Sequence, residues 1–276
     1  TWRSGLAALS GWHDFGVRLT NYGGPGAVLV GAWTTDGTAI VEPVFVTGTD
    51  TGIGKTRTSG ALIHALRQAG LARVVGMKPV AAGCDWVEER GEVPGHWLNE
   101  DVAAMRAASS LQVPAGFDNP YALPDAVSPH IAARRAGAVI DLDHIEACFH
   151  ALRQHADAVV VEGAGGFIVP LCEPDPDLGG DWVTSADLAQ RLNLPIILTV
   201  GVRLGCINHA LLTQEAILAR GLKLAGWIAN VIDPQMSEQA TNLATLKARL
   251  QAPLLAHWPW QPDADPAELA RSLRLP

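Results

Sequence analysis

Residues 48–56 read GTDTGIGKT and lie between the apolar run PVFV and a segment with the residue pattern of a helix. Glycine at three of these positions lets the backbone turn its N–H groups inward, and the N-terminus of the following helix favours an anion. The stretch therefore predicts a phosphate-binding loop. We expect Lys55 to reach the β- and γ-phosphates of a nucleotide and the Thr56 hydroxyl to contact Mg²⁺.

The loop departs from the common pattern G-x-x-x-x-G-K-[ST], because Thr49 occupies the first position and the leading glycine lies one residue earlier. The alternative interpretation is a glycine-rich turn with an exposed lysine. It is disfavoured because strand, loop and helix follow one another in the required order. We expect the whole loop to contact the nucleotide, through Gly48, Thr49, Asp50, Thr51, Gly52, Ile53, Gly54, Lys55 and Thr56.

The composition predicts a folded domain with a sizeable core, since 48% of the 276 residues are hydrophobic and 17% are charged. A formal net charge of −8 argues against nucleic acid or an anionic membrane as the partner. No apolar run approaches the ~20 residues of a membrane span, and we expect no signal peptide. The four cysteines are widely spaced, which favours reduced core thiols and a cytoplasmic location.

Two parts of the chain differ in patterning. Residues 1–42 carry glycine-rich pieces and no sustained period, so we expect a leader or extension that is peripheral or disordered. In residues 43–276 short Val/Ile/Leu runs alternate with helical patterns. This alternation predicts one α/β domain of the P-loop NTPase kind, with a mostly parallel sheet and helices on both faces. Ligands of such sheets bind beyond the carboxyl ends of the strands.

Charged side chains follow two of the predicted strands. Glu162 ends the run AVVVE and is suited to a magnesium contact, although the amides of the following GAGG could satisfy it instead. Lys78 closes VVGMK, where the alternative is an ordinary solvated lysine. Its position at a strand end favours a second ammonium beside the phosphate loop.

Three further sites are ambiguous on local grounds. Asp101 could hold Mg²⁺ or compensate the dipole of its own helix. Asn230, after LAGWIA, could contact a nucleotide base or cap a loop. Residues 204–208, LGCIN, begin a helix and could offer backbone N–H groups to a second anion, or form an ordinary strand-to-helix turn.

Taken together, residues 43–260 resemble the dethiobiotin synthetase family, enzymes that use ATP to close the ureido ring in biotin synthesis. The resemblance is carried, in order, by FVTGTDTGIGKT, GMKPVAAG, NPYALPDAVSPHIAA, VVVEGAGGFIVPL, DWV at 181–183, VGVRLGCINHALLT and LAGWIAN. The stretches KPVAAG and VRLGCINHA are more specific than a phosphate loop alone.

The resemblance implies a ligase that forms carbon–nitrogen bonds. It would carboxylate 7,8-diaminopelargonic acid with CO₂, and the carbamate would attack the γ-phosphate of ATP. The second amine would then close the ring of the mixed carbamic–phosphoric anhydride and expel phosphate. Lys55, Lys78 and Thr51 would be catalytic, while Thr56, Asp101 and Glu162 would hold Mg²⁺.

The resemblance also implies a homodimer with the active site at the interface. The diamine would contact Lys78 and Ala82, and its carboxylate would meet the N–H groups of the neighbouring subunit at Gly205, Cys206, Ile207 and Asn208. Glu162 and Asn230 would contact the nucleotide. Gly52 and Ala82 depart from some members, which carry an acid and a serine there, so the contacts of those side chains are replaced or missing.

Two rival families are less consistent with the sequence. Regulatory ATPase switches of the partitioning type place an extra lysine five residues before the invariant one, where this chain has Asp50. Glutamine-dependent cobyrinic acid amidating enzymes share the fold but need a further domain with a cysteine nucleophile.

Overall fold

The computed structural model describes residues 42–88, 95–114, 116–174 and 179–276, together with the strand pairing of six earlier residues. Those six form a three-stranded antiparallel sheet of β1 (Gly16–Val17), β2 (Ala32–Trp33) and β3 (Ala39–Ile40). The rest of residues 1–41 lies outside the described residues. The expectation of a peripheral or disordered leader therefore stays a prediction.

Strands and helices alternate along the described chain. The remaining strands are β4 (Val44–Gly48), β5 (Val74–Met77), β6 (Val80–Ala82), β7 (Asp85–Val87), β8 (His96–Leu98), β9 (Tyr121–Leu123), β10 (Ala158–Glu162), β11 (Pro170–Cys172), β12 (Val183–Thr184), β13 (Ile196–Val202), β14 (Leu224–Val231) and β15 (Leu254–Trp258). The helices are α1 (Lys55–Gln68), α2 (Glu100–Ala108), α3 (Pro129–Arg135), α4 (Leu142–His155), α5 (Ser185–Leu192), α6 (Cys206–Ala219), α7 (Gln239–Arg249) and α8 (Pro266–Leu269).

The central sheet has six strands in the order β15-β14-β13-β4-β10-β5, and every neighbouring pair is parallel. Its strands are runs of buried apolar residues, because a parallel sheet is covered on both faces. The predicted fold class is confirmed. β4, β10 and β5 adjoin one another, so the three strand ends that carry predicted site residues meet at one edge of the sheet.

Side chains of β4 alternate between two hydrophobic layers. Phe45 packs in the layer that includes Ile145 and Leu152 of α4, whereas Val44 and Val46 pack in the layer that includes α1 and α8. This alternation is the two-residue period of a strand buried on both faces. It accounts for helices on both sides of the sheet.

Several helix boundaries follow the sequence signals. α1 is followed by Gly70 in the left-handed region, φ 102°, and the Asn99 side chain caps α2 by accepting from the Asp101 N–H. α3 begins at Pro129 and is followed by Gly137, φ 65°. Ser128 occupies the capping position of α3, but its side chain makes no hydrogen bond to the helix.

Six short strands were not foreseen from the sequence. They pair as β6–β9, β7–β8 and β11–β12 outside the central sheet. With two or three residues each, they are too short for a period to be recognised. None of the described helices has the length and apolar character needed to cross a membrane.

Candidate active site

The phosphate loop joins β4 to α1 and depends on glycine at two positions. Gly54 precedes α1 with φ 91°, and a Cβ there would lie 2.4 Å from Asn230 Nδ2. A Cβ on Gly48 would lie 2.7 Å from Ile53 Cδ1. Side chains at either glycine would therefore push the loop away from the sheet.

Lys55 is buried at the start of α1, with 6% of its surface exposed. Its Nζ donates to the backbone carbonyl of Asp50 at 2.9 Å, so the ammonium reaches back across the loop. Burial and the neighbouring charge of Lys78 lower the pKa of Lys55 to about 8. A buried ammonium of this kind gains a matching charge when an anion enters the loop.

A charged cluster lies beside the loop. Thr56 Oγ1 is 2.5 Å from Asp101 Oδ1 and 3.0 Å from Glu162 Oε1. Lys78 Nζ donates to Asp101 Oδ2 at 2.8 Å and to Glu162 Oε1 at 2.5 Å. The structure thus brings together four predicted residues from four different elements or strand ends.

The cluster decides between the interpretations left open by the sequence. Lys78 is buried, so the solvated-lysine alternative is wrong. Burial acts to lower the pKa of Lys78, but the charges of Glu162 and Asp101 outweigh it and the pKa is raised. Glu162 bonds to Lys78 and Thr56 rather than to the GAGG amides. Asp101 lies in the first turn of α2 and also faces Lys78.

These side chains fit a magnesium ion. Two carboxylates and one hydroxyl are the hard oxygen ligands that Mg²⁺ prefers. Glu162 is fully buried, and its Oε2 has no hydrogen-bond partner in the described structure. A buried carboxylate oxygen without a partner is costly, so a cation at this position would satisfy it.

A cavity of about 590 Å³ adjoins the cluster. Thr51, Lys78 and Asp101 line it, and most of its other lining is aliphatic, including Val80, Ala82 and Ile168. The expected diamine contacts Lys78 and Ala82 are therefore on its wall, together with Thr51, which was expected to be catalytic. The combination of a charged cluster and an aliphatic wall suits a molecule that carries polar groups on a hydrocarbon chain.

The loop between β13 and α6 does not line this cavity. Its backbone turns through Gly205, φ 92°, and both Leu204 and Asn208 are exposed. The expectation of free N–H groups throughout the loop is wrong at Cys206. That N–H closes the turn by donating to the Arg203 carbonyl at 3.0 Å, and the side chain is buried. Gly205, Ile207 and Asn208 remain as candidates.

Two side chains tie neighbouring strand ends to the phosphate loop. Asn230 Nδ2 donates to the Ile53 carbonyl at 2.8 Å, and its Oδ1 is buried without a partner in the described structure. Arg203 Nη2 contacts Asp50 Oδ2 at 2.6 Å. The structure places Asn230 against the loop, and its predicted contact with a base stays a prediction.

Sequence reasoning did not single out Ser128, Gly165 or Ile168, which also line the cavity. Gly165 has φ 61°, and a Cβ there would lie 3.4 Å from Thr51 Oγ1. The only available signal was their presence in the long stretches 119–133 and 159–171, which carry the family resemblance.

Comparisons with known proteins identify relatives over most of the chain. A family model described as an AAA domain matches residues 42–268. The ATP-dependent dethiobiotin synthetase BioD of Aromatoleum aromaticum is 54% identical over 232 residues, covering 84% of this chain and 96% of that protein. The protein of the same name from Xanthomonas oryzae pv. oryzae is 48% identical, covering 84% and 97%. A solved ParA family ATPase from Chlorobium tepidum matches with a TM-score of 0.47 at 10% identity, covering 84% and 91%.

Proposed function

The chain belongs to the family of ATP-dependent dethiobiotin synthetases, and from that premise we propose how it acts. It closes the ureido ring of dethiobiotin from 7,8-diaminopelargonic acid, CO₂ and ATP. The observation that carries the proposal is that two buried lysines lie on neighbouring parts of the site, one in the phosphate loop and one at the wall of a cavity. Lys55 lies in the phosphate loop, and Lys78 lies at the cavity wall against Glu162 and Asp101.

The reaction joins two anions, which explains the need for two ammonium groups. One amine of the diamine adds to CO₂ and loses a proton, giving a carbamate. A carbamate oxygen then attacks the γ-phosphorus, and ADP leaves with the bridging oxygen. Lys55 and Lys78 stabilise the charge that gathers there, and the loop amides hold the phosphates in line.

Ring closure follows from the same complex. The second amine attacks the carbamate carbon, a carbon–nitrogen bond forms, and the carbon–oxygen bond to phosphate breaks as phosphate leaves with the electron pair. The attacking nitrogen releases its proton. Thr51 lies on the cavity wall and is suited to orienting the carbamate by a hydrogen bond.

Thr56, Asp101 and Glu162 are the residues that would hold Mg²⁺, which would neutralise charge on the β- and γ-phosphates. Without Mg²⁺, the Lys78 ammonium group pairs with the carboxylates of both Asp101 and Glu162. Asn230 is our proposed contact to the nucleotide base, because its Oδ1 is buried and unpartnered in the described structure. A cytoplasmic location is supported by the four free cysteines.

The switch-type ATPase has no comparable support. The residue five positions before Lys55 is Asp50, whose carboxylate pairs with Arg203. An aspartate held in this way supplies no additional cation to the phosphates.

The activity is tested by the dependence of ATP hydrolysis on the other substrates. ADP release by the full chain should require both the diamine and bicarbonate, because no nucleophile for the phosphorus exists without the carbamate. Turnover of similar speed with neither compound present would contradict the proposal and favour a regulatory ATPase.

We further propose a two-fold dimer in which each active site uses both subunits. The diamine ends in a carboxylate remote from its amines, and the phosphate loop is committed to ATP. The exposed turn at Gly205, Ile207 and Asn208 begins α6 and does not line the chain's own cavity. Its N–H groups are suited to binding a carboxylate, so we propose that they bind the carboxylate of a diamine held in the cavity of the neighbouring subunit.

Mixed dimers test the sharing of sites. An Asn208→Asp chain is combined with a Lys55→Ala chain, so that each heterodimer holds one site with wild-type Lys55 from one subunit and wild-type Asn208 from the other. At a diamine concentration well below the wild-type KM, recovery of activity above either parent is expected. If differently tagged subunits co-purify and activity does not recover, the turn serves its own chain and the sharing proposal fails.

A further inference from the structure

A hydrogen-bonded group lies on the cavity wall away from the phosphate loop. Ser128 lines the cavity, and its Oγ is 3.0 Å from His130 Nδ1. His130 Nδ1 also lies 3.3 Å from the Pro170 carbonyl oxygen, which accepts a hydrogen bond when Nδ1 carries the proton. The chemistry described above assigns no role to either side chain.

Ser128 is not explained by the helix that follows it. It occupies the capping position of α3, but its side chain makes no capping hydrogen bond. The hydroxyl is directed to His130 instead. A serine whose only role was to start the helix would accept from the helix N–H groups.

His130 is fixed on several sides. The edge of its ring meets Trp182 at a centroid separation of 5.6 Å and an interplanar angle of 83°. Its Nε2 lies 3.8 Å from Glu173 Oε1, and Glu173 is held by Arg134 Nη1 at 2.7 Å. The ring therefore restricts the rotation of the Ser128 side chain, which lowers the entropy lost when a ligand bonds to it.

Ser128 Oγ keeps at least one open acceptor lone pair in either tautomer of His130. A hydroxyl has one donor and two acceptor lone pairs. If Nδ1 accepts from Ser128, both lone pairs stay open. If Nδ1 donates, one lone pair stays open. In either case Ser128 Oγ can accept a hydrogen bond from an N–H group in the cavity.

Asn99, Lys78 and Asp101, which also line the cavity, already make hydrogen bonds within the protein. Asn99 donates to the carbonyls of Ala82 and Gly83 and accepts from the Asp101 N–H. Lys78 and Asp101 bond to each other. Ala82 offers only a methyl group. Among the described lining residues outside the phosphate loop and the charged cluster, Ser128 therefore offers a side-chain oxygen, Oγ, that can accept a hydrogen bond from a ligand.

We propose that Ser128 binds the substrate by accepting a hydrogen bond from an amine N–H of the diamine, and that His130 is a positioning residue that acts through Ser128. This inference rests on the proposed function. It adds a fixed point that aligns the diamine between the cavity wall and the phosphate loop, so that one amine faces CO₂ and the phosphate.

Substitutions at Ser128 test the contact in the full-length enzyme. Ser128→Ala should raise the KM for the diamine about tenfold, the cost of one hydrogen bond to an amine, with the Kd for MgATP unchanged. Ser128→Thr keeps the hydroxyl and should recover most of the affinity. Ser237→Ala, at an exposed serine after β14, is the matched control and should leave both constants unchanged.

Substitutions at His130 test the positioning role. His130→Phe keeps an aromatic ring beside Trp182 but removes the bond to Ser128, and should raise the diamine KM about threefold. His130→Asn keeps a hydrogen-bonding group near the Nδ1 position and should restore the wild-type KM. Melting temperatures of the Ser128 variants should match wild type, because the Ser128 side chain does not cap α3.

The outcomes separate this inference from the proposed function. If wild-type enzyme forms the cyclic urea and Ser128→Ala keeps the wild-type diamine KM, the inference is overturned. It is also overturned if Ser128→Ala weakens diamine and MgATP alike together with a lower melting temperature, since that pattern indicates a structural role. If wild-type enzyme forms no cyclic urea, the proposed function itself fails.

Discussion

Two strand–loop–helix units in this molecule each place a left-handed glycine directly before the helix, and they differ in what surrounds them. The first runs from β4 through the phosphate loop into α1, and the second runs from β13 into α6. The two strands are parallel neighbours, and each helix is preceded by a left-handed glycine, Gly54 with φ 91° and Gly205 with φ 92°. Both units therefore point a helix N-terminus beyond the same edge of the sheet.

The surroundings of the two turns are opposite. Lys55 is 6% exposed, and the adjacent Thr56 contacts carboxylates from α2 and β10. Leu204, before the second turn, is 86% exposed, and Leu212 on α6 is 57% exposed. The first unit is completed within its own chain, whereas the second faces solvent. Both helix N-termini offer backbone N–H groups that can bind an anion. Only the first is surrounded, within the described residues, by the charged side chains that phosphoryl transfer needs.

Removing the lysine of the first unit is expected to have the largest effect. Lys55→Ala should lower kcat by about a hundredfold or more, because a buried charge is lost where negative charge develops. The measurement is steady-state ADP release with the diamine, bicarbonate and MgATP present. Lys223→Ala, at an exposed lysine, is the matched control and should keep wild-type kcat. Equal rates for the two variants would mean that the site is misassigned.

Burial of Lys55 should also make the free energy of unfolding depend on pH. The pKa of Lys55 is about 8 in the folded chain and 10.5 in its ordinary state, so the unfolded chain binds more protons between these values. The free energy of unfolding should therefore rise with pH across this window, by at most about 3 kcal/mol from this group.

Urea denaturation without nucleotide measures that contribution. Subtracting the curve of Lys55→Met removes other groups that titrate in the same range, such as the thiols of Cys84 and Cys148, whose pKa values are raised by burial. A difference between the two proteins that is flat from pH 8 to 10.5 would contradict the burial of Lys55 as a charged group.

Some parts of the candidate site could be predicted from the sequence and others could not. The glycine pattern at 48–56 and the strand-end positions of Lys78 and Glu162 predicted the charged cluster, because adjacent parallel strands bring their ends together. The bond between Ser128 and His130 and the approach of Glu173 and Trp182 were not predictable. They depend on short strands and loops whose pairing has no period, and on contacts between residues forty to just over fifty positions apart along the chain.

A smaller effect is expected in the second unit. Asn208→Asp adds a negative charge at the start of α6 and should raise the diamine KM about fivefold through repulsion of its carboxylate, while the Kd for MgATP stays the same. Ile207→Pro, which removes one N–H donor, should act in the same direction. An unchanged diamine KM in both variants would show that this turn has no part in binding.

The smallest effect is expected outside both units. Removing residues 1–42 should change kcat and the melting temperature little, since this region contributes no motif and little patterned apolar surface. Activity assays and thermal unfolding of the shortened chain check this. A large fall in either quantity would show that the region packs on the domain.

The most direct test of the central claim is the product itself. The purified chain is incubated with ATP, Mg²⁺, the diamine and ¹³C-labelled bicarbonate, and the products are analysed by mass spectrometry. We predict a cyclic urea that carries the labelled carbon, formed in equal amount to ADP and at least about a hundredfold more slowly with Lys55→Ala. ADP formed without any labelled cyclic urea would contradict the account.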